Sequence, residues 1–178
     1  MGTVRIPREV MLFCSIIYRD NRARPLSMLK EAFGTPCFES PGLAFDYTSY
    51  YEKEMGAPLH RIIVAFERLV ARDALQEIKL MTNAMEEACR EGGKRTVNLD
   101  PGYLSMENVC LATTKPYSHR IYLTRGIWAE VTLFYKDGSY QANPWTYPDY
   151  ASDGLKQQFN TIRSIYRRRI ACPAACSP

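Results

Sequence analysis

Histidine and tryptophan are scarce in this 178-residue chain, at two copies each, and long apolar runs and the common nucleotide- and metal-binding signatures are missing altogether. Each absence excludes something. The longest apolar stretch, Val10 to Tyr18, falls well short of the roughly 18–20 residues that cross a bilayer as a helix. Glu9 precedes it, Arg19 and Asp20 follow directly, and no small-residue cleavage site appears, so it makes a poor secretory signal. The expected setting is the cytoplasm, with no membrane partner. No GxxxxGK[ST] loop, post-strand GxGxxG, GxSxG elbow, HExxH helix or EF-hand loop occurs. That excludes mainstream P-loop enzymes, dehydrogenases, α/β-hydrolases and zinc proteases. A net charge of +4 is too mild for a nucleic-acid footprint. Much of the excess gathers at Arg163, Arg167, Arg168 and Arg169, where a final helix would place it at the negative end of its dipole. Nucleic acid is not an expected partner.

What is present describes a globular chain. Hydrophobic residues make up 46% and charged residues 24%. A chain of this length buries roughly 70% of its unfolded surface and needs neither metal nor disulfide to hold a core. The six cysteines form no paired metal-ligand spacing. Cys172 and Cys176 fall in a segment, 171–178, that reads as a frayed tail. Residues 1–178 are expected to form one domain, ordered over about 7–170. The 12 tyrosines are an excess that suits an amphiphilic groove or interface.

Val10 to Ile17 and Ile62 to Phe66 are apolar on both alternating faces and read as strands buried on both sides. Between them, Pro25 opens and Gly34 closes a helix, and Leu43 to Tyr47 reads as an edge strand in a turn-rich stretch. Asp73 is the expected N-cap of a second helix with Leu75, Ile78, Thr82, Met85 and Cys89 on its apolar face. A strand from Thr96 to Leu99 is expected to stop at an Asp100-Pro101-Gly102 turn. The fold class is thus α+β, with a ferredoxin-like βαββαβ first half. A β-meander extension follows: Asn108 to Thr114, Arg120 to Leu123 and Trp128 to Tyr135, then an Asp137-Gly138 hairpin turn into Ser139 to Gln141. A C-terminal helix from about Leu155 to Ile170 closes the chain, and either it or the meander must cover the face opposite the first two helices.

Candidate chemistry lies where polarity interrupts these elements. Glu130 and Thr132 sit inside the strand Trp128 to Tyr135, and a carboxylate there must meet water, a cation or a ligand. It reads either as a cross-strand ion pair with Arg120 or Lys115, or as part of a pocket floor for an anionic ligand with Lys115, His119 and Arg120 as donors. Asp100 and Tyr103 form a second candidate, explained about as well by plain turn chemistry. Asp46, Tyr50, Glu52 and Glu54 in the tyrosine-rich stretch form a third, able to line a groove and only weakly suggestive of a hard cation. No metal site and no cofactor are assigned. The loop Trp145 to Tyr150 would close over such a groove or simply cover the sheet. His60 and His119 open similar tetrapeptides, as in the two-histidine phosphoesterases, but Ile62 and Ile121 occupy the positions where those enzymes need Ser or Thr.

Taken together, FDYTSYYEKEMG, VNLDPGYL, ATTKPYSHRIYL, GIWAEVTLFYKDG and PWTYPDY resemble the bacterial family known as domain of unknown function 4416, over about Pro7 to Arg169. The resemblance implies no reaction, substrate or catalytic residue. Some relatives carry a GTP-binding label, yet the nearest approach to a guanine-reading [NT]KxD element is Thr114-Lys115-Pro116-Tyr117, with Tyr117 in place of Asp. Two functions remain open. One is binding of a small anionic ligand, a nucleotide or a phosphorylated or carboxylated metabolite, with His119, Glu130 and Asp100 as acid/base groups and Lys115, Arg120, Tyr103, Asp46 and Tyr50 as binding groups. The other is a protein-interaction module, for a partner protein or a second copy, built on the Tyr- and Trp-rich loops.

Overall fold

The computed structural model describes residues 2–171, so the tail that contains Cys172 and Cys176 lies outside the described residues. The chain runs β1 (Val10–Tyr18), α1 (Ala23–Phe33), β2 (Pro36–Glu39), β3 (Leu43–Ala44), α2 (Glu52–Met55) and β4 (His60–Val70), then α3 (Leu75–Ala88) and β5 (Val97–Leu104). It continues through β6 (Asn108–Thr113), β7 (Ile121–Thr124), β8 (Ile127–Lys136) and β9 (Ser139–Ala142) to α4 (Asp153–Ala171). The architecture is α+β. Nine strands make one antiparallel sheet in the order β2-β4-β1-β5-β6-β8-β7, with β3 on β4 and β9 on β8.

The doubly apolar strands explain the layering. Along β1, Leu12, Cys14 and Ile16 join Leu26, Leu29 and Phe33 of α1 and Ile78 of α3 in one cluster. Met11 and Phe13 point the other way, into a cluster with Leu155, Phe159, Ile162 and Tyr166 of α4. α1 and α3 therefore cover one face, and the C-terminal helix covers the other. Phe13 meets Phe159 edge-on at 5.0 Å, and the Tyr166 hydroxyl donates to the Glu9 carbonyl at 2.6 Å, tying the end of the chain to the start of its central strand. Arg163 lies in the middle of α4 rather than at its end: it sits over the Tyr135 ring at 3.3 Å and donates to the Met106 carbonyl, so it braces the sheet, and Arg168 and Arg169 occupy the last turn. Asp137 and Gly138 take φ of 52° and 85°, the conformation a two-residue hairpin needs.

Three local expectations are corrected. Pro36–Glu39 pairs with β4 as a strand, whereas Leu43–Tyr47 supplies only the two paired residues Leu43 and Ala44. Asp73 does not cap α3: a 3-10 turn, Arg72–Ala74, leads into the helix without a side-chain cap. Asp100-Pro101-Gly102 is no turn but the middle of β5, where Asp100 pairs with Ser15, Pro101 with Cys14 and Gly102 with Phe13. Pro101 is tolerated because the ladder to β6 begins only at Gly102, leaving no partner on that side for the missing N–H. Gly102 is there for space: a Cβ would stand 2.6 Å from the Phe13 ring and collide with the Cys110 carbonyl.

Gly102→Ala is therefore an overpacking substitution at a sheet junction. It should destabilise by about 1–3 kcal/mol, lowering the thermal midpoint by roughly 2–10 °C for a chain of this size. Differential scanning calorimetry of the two proteins checks this, and an unchanged midpoint would mean that β5 and β6 are less closely apposed.

Candidate functional site

β5 and β6 pair only at Gly102–Leu104 with Val109–Leu111 and then separate, although β6 stays paired with β8 through Thr113. Before Gly102, the edge of β5 that faces β6 is bare. Its backbone groups cannot be left unpaired, and α3 supplies what the strand lacks. Lys79 Nζ accordingly donates to the Leu99 carbonyl at 2.9 Å, and a Glu86 carboxylate oxygen accepts the Leu99 N–H at 2.5 Å. Lys79 and Glu86 are seven positions apart, two turns of one helix face. The gap between the strands opens into a cavity of about 400 Å3.

Ion pairs line it. Lys79 also meets Asp100 at 3.1 Å, and the Asn98 amide donates to the other Asp100 oxygen at 2.6 Å. Arg95 reaches Asn98, Glu86 and, at 2.8 Å, Glu54 of α2. Arg61 of β4 pairs with Asp149 of the loop before α4, both buried, and its guanidinium lies 4.5 Å from the Phe45 ring and 5.1 Å from the Tyr150 ring. One arginine thus holds the tyrosine-rich segment, the sheet and the Trp145–Tyr150 loop together. The opposite wall carries Glu130. One Glu130 oxygen takes Arg120 Nε at 2.8 Å and His119 Nε2 at 3.1 Å, and the other accepts the Thr132 hydroxyl at 3.3 Å. His119 is stacked on Trp145, with centroids 5.1 Å apart and planes 10° apart.

Of the residues singled out from the sequence, Tyr50, Asp100, Lys115 and Glu130 line this cavity. His119 and Arg120 stand behind Glu130. All three Arg120 nitrogens are engaged, by Glu130, by the Lys115 carbonyl and by the Tyr147 hydroxyl at 2.7 Å, so its guanidinium braces the wall. Tyr103 packs with Leu75, Ala112 and Ile127 and does not reach the cavity. Asp46 is exposed and off the wall, and Glu54 is taken by Arg95. Among the described residues no cluster of His, Cys, Asp and Glu is arranged to hold a metal ion. Sequence reading missed Arg61, Lys79, Glu86, Arg95, Asn98 and Asp149. The available signals were polar residues two apart in β5, Asn98 and Asp100, and the Lys79–Glu86 spacing beside the apolar stripe of α3.

The electrostatics follow from these contacts. Burial alone would raise the Asp100 pKa, but the Lys79 charge and hydrogen bond, the Arg61 charge and the Asn98 amide together hold it below the usual carboxylate range. Burial pushes Glu86 up despite Lys79 and the Leu99 N–H. Burial likewise pushes up the phenols of Tyr51, Tyr147 and Tyr150, which stay neutral donors at physiological pH.

The depressed Asp100 pKa fixes the sign of a pH effect. The folded chain binds this proton more weakly than the unfolded chain, whose Asp titrates near about 3.9. The stabilisation is present above that pH and is lost as pH falls through the lower folded value. Asp100→Asn should therefore lower the thermal midpoint at pH 7, and the gap to wild type should close below about pH 4. Thermal unfolding of both proteins from pH 3 to 8 tests this, and a gap that widens in acid would contradict it.

The family model described as Domain of unknown function (DUF4416) matches residues 8–166. No curated protein and no solved structure matches the chain. With the match spanning the sheet, its helices and every wall of the cavity, the chain belongs to the DUF4416 family.

Proposed function

We propose that the cavity at the β5–β6 divergence binds a small molecule that carries an anionic group, a nucleotide or a phosphorylated or carboxylated metabolite. The carrying observation is Lys115. It is the one cation on the cavity wall that has no carboxylate partner among the described residues; its ammonium meets the Tyr50 hydroxyl at 3.2 Å and the Tyr50 ring at 4.3 Å. Arg61, Lys79 and Arg95 are each neutralised by a carboxylate. Phe45, Tyr51, Tyr147 and Tyr150 add aromatic surface to the same wall, the mixed lining expected of a small-molecule site. Asp100 and Glu130 supply carboxylates on the wall, and His119 stands against Glu130 within proton-transfer distance. The same reading takes β1-α1-β2 and β4-α3-β5 as a ferredoxin-like unit. The order β2-β4-β1-β5, with both helices on one face, supports it.

Thermal unfolding against a panel of nucleotides, phosphorylated metabolites and carboxylates tests the proposal. A ligand at one hundred times its Kd stabilises by about 2.7 kcal/mol, a shift of several degrees at this size. Lys115→Met should weaken that ligand by about 1.5–3 kcal/mol, the worth of a charged hydrogen bond. A panel that shifts nothing would sink the proposal, as would a shift that Lys115→Met leaves intact.

A second reading, a protein-interaction module, rests on β7. This strand ends the sheet with Ile121 70% and Tyr122 54% exposed, and Tyr117 and Trp145 are exposed as well. An apolar, unpaired edge is a template for another strand, and the partner it fits best is the same edge of a second copy, because antiparallel pairing about a two-fold axis is self-complementary. That reading predicts a sedimentation coefficient that rises with protein concentration and an Ile121→Lys variant that stays monomeric. A wild-type monomer at all concentrations would remove it. The cavity reading is preferred because Tyr50 and Tyr147, although partly exposed, line the cavity and commit their hydroxyls to Lys115 and Arg120.

A further inference from the structure

We infer that the ligand of this cavity is dipolar: a small molecule with one ammonium group and one anionic group, not a nucleoside polyphosphate. The inference rests on the binding reading above and narrows its chemistry. It comes from which member of each ion pair faces the open space. In the Lys79–Asp100 pair, the lysine side chain is only 6% exposed and the carboxylate is 31% exposed. The buried ammonium is consumed by the Leu99 carbonyl and by Asp100 itself. What the deep wall offers a ligand is therefore a carboxylate, and it asks for a donor or a cation.

The remaining wall charges are engaged with one another. Arg61 and Asp149 are equally buried and occupied with one another. Arg95 divides its guanidinium between Glu54 and Glu86. Glu130 is buried and saturated by Arg120, His119 and Thr132. Two charged groups on the wall stand out, the partly exposed Asp100 carboxylate and the Lys115 ammonium, which meets only the Tyr50 phenol among the described residues, and they are of opposite sign. A ligand with an ammonium toward Asp100 and a carboxylate or phosphate toward Lys115 sets a group of opposite sign against each of the two. A triphosphate would bring several negative charges into a partly enclosed site with one unneutralised cation, beside an exposed carboxylate, and uncompensated buried charge is strongly disfavoured. The aromatic side of the wall, Tyr51 and Tyr147 among it, suits the apolar body of such a molecule. The depressed pKa of Asp100 agrees, since it keeps that carboxylate ionised at neutral pH.

The experiment compares charge forms of the same molecules on the wild-type protein. Thermal unfolding is followed with millimolar free amino acids and phosphoethanolamine, with their N-acetyl derivatives, which lose the cation, with the amino-acid methyl esters, which lose the anion, and with GTP and magnesium. The expected result is a shift of several degrees with at least one zwitterion that is lost in both capped forms. Calorimetric affinity for that compound should fall at least tenfold in Lys115→Met and in Asp100→Asn. The capped-ligand comparison needs no variant, so it stands even where Asp100→Asn unfolds. If GTP or an N-acetyl compound binds with equal or greater effect and Lys115→Met abolishes it, the site is real and the dipolar inference is overturned. If an ester alone binds, the inference falls and so does the anion reading. No shift with any compound overturns both.

Discussion

The constraint from which the site grows is the early separation of β5 from β6. A sheet that parted without compensation would leave the N–H and C=O of Leu99 buried and unpaired, at about 1–3 kcal/mol for each group. Lys79 and Glu86 supply the missing donor and acceptor from two consecutive turns of α3. That solution brings two charges into the interior, and they must be paired in turn. Asp100 answers Lys79, Arg95 answers Glu86, and Asn98 links the two pairs. The polar wall is therefore the consequence of one backbone divergence carried outward through side chains.

The fold was legible where burial was total. β1 and β4 are apolar on both faces, which demanded a cover on each side of the sheet, and α4 with its Leu155–Phe159–Ile162–Tyr166 stripe provides the second. Asp137-Gly138 was legible because a tight hairpin needs positive φ at both positions. Asp100-Pro101-Gly102 misled for a specific reason. Asp, Pro and Gly are turn formers in isolation, yet here each meets a tertiary requirement: a partner for Lys79, an unpaired strand edge, and room for Phe13. Local composition contains no trace of any of the three.

The site was legible in part and for a similar reason. Glu130 drew notice because a lone carboxylate in an apolar strand needs a partner, and the ion-pair reading holds, whereas His119 and Arg120 stand behind the cavity wall rather than on it. The carboxylate is paired with Arg120 and also forms part of a cavity wall. Arg61 and Asp149 escaped notice because they are 88 positions apart and meet only through the packing of a loop on the sheet. Lys79 and Glu86 escaped because a charged residue on a helix is ordinarily read as solvated. Only the missing β6 partner turns that side of α3 inward.

Stability alone does not account for so much buried charge. A buried ion pair replaced by well-packed apolar residues is often neutral or stabilising, and the core on the α4 face is built that way, with Phe13, Ile63, Leu133 and Phe159 in one apolar cluster. Charge is concentrated instead around one open volume. The Asp100 carboxylate partners Lys79 yet stays 31% exposed, against 6% for the lysine side chain. Held ionised by its neighbours and partly exposed on the cavity wall, it is the carboxylate that the binding reading above sets against a ligand's cation. Lys115, on the same wall, its ammonium meeting among the described residues only the Tyr50 hydroxyl and ring, has the opposite sign. On the binding reading proposed above, such a pair of groups would confine recognition to a molecule whose own charges match.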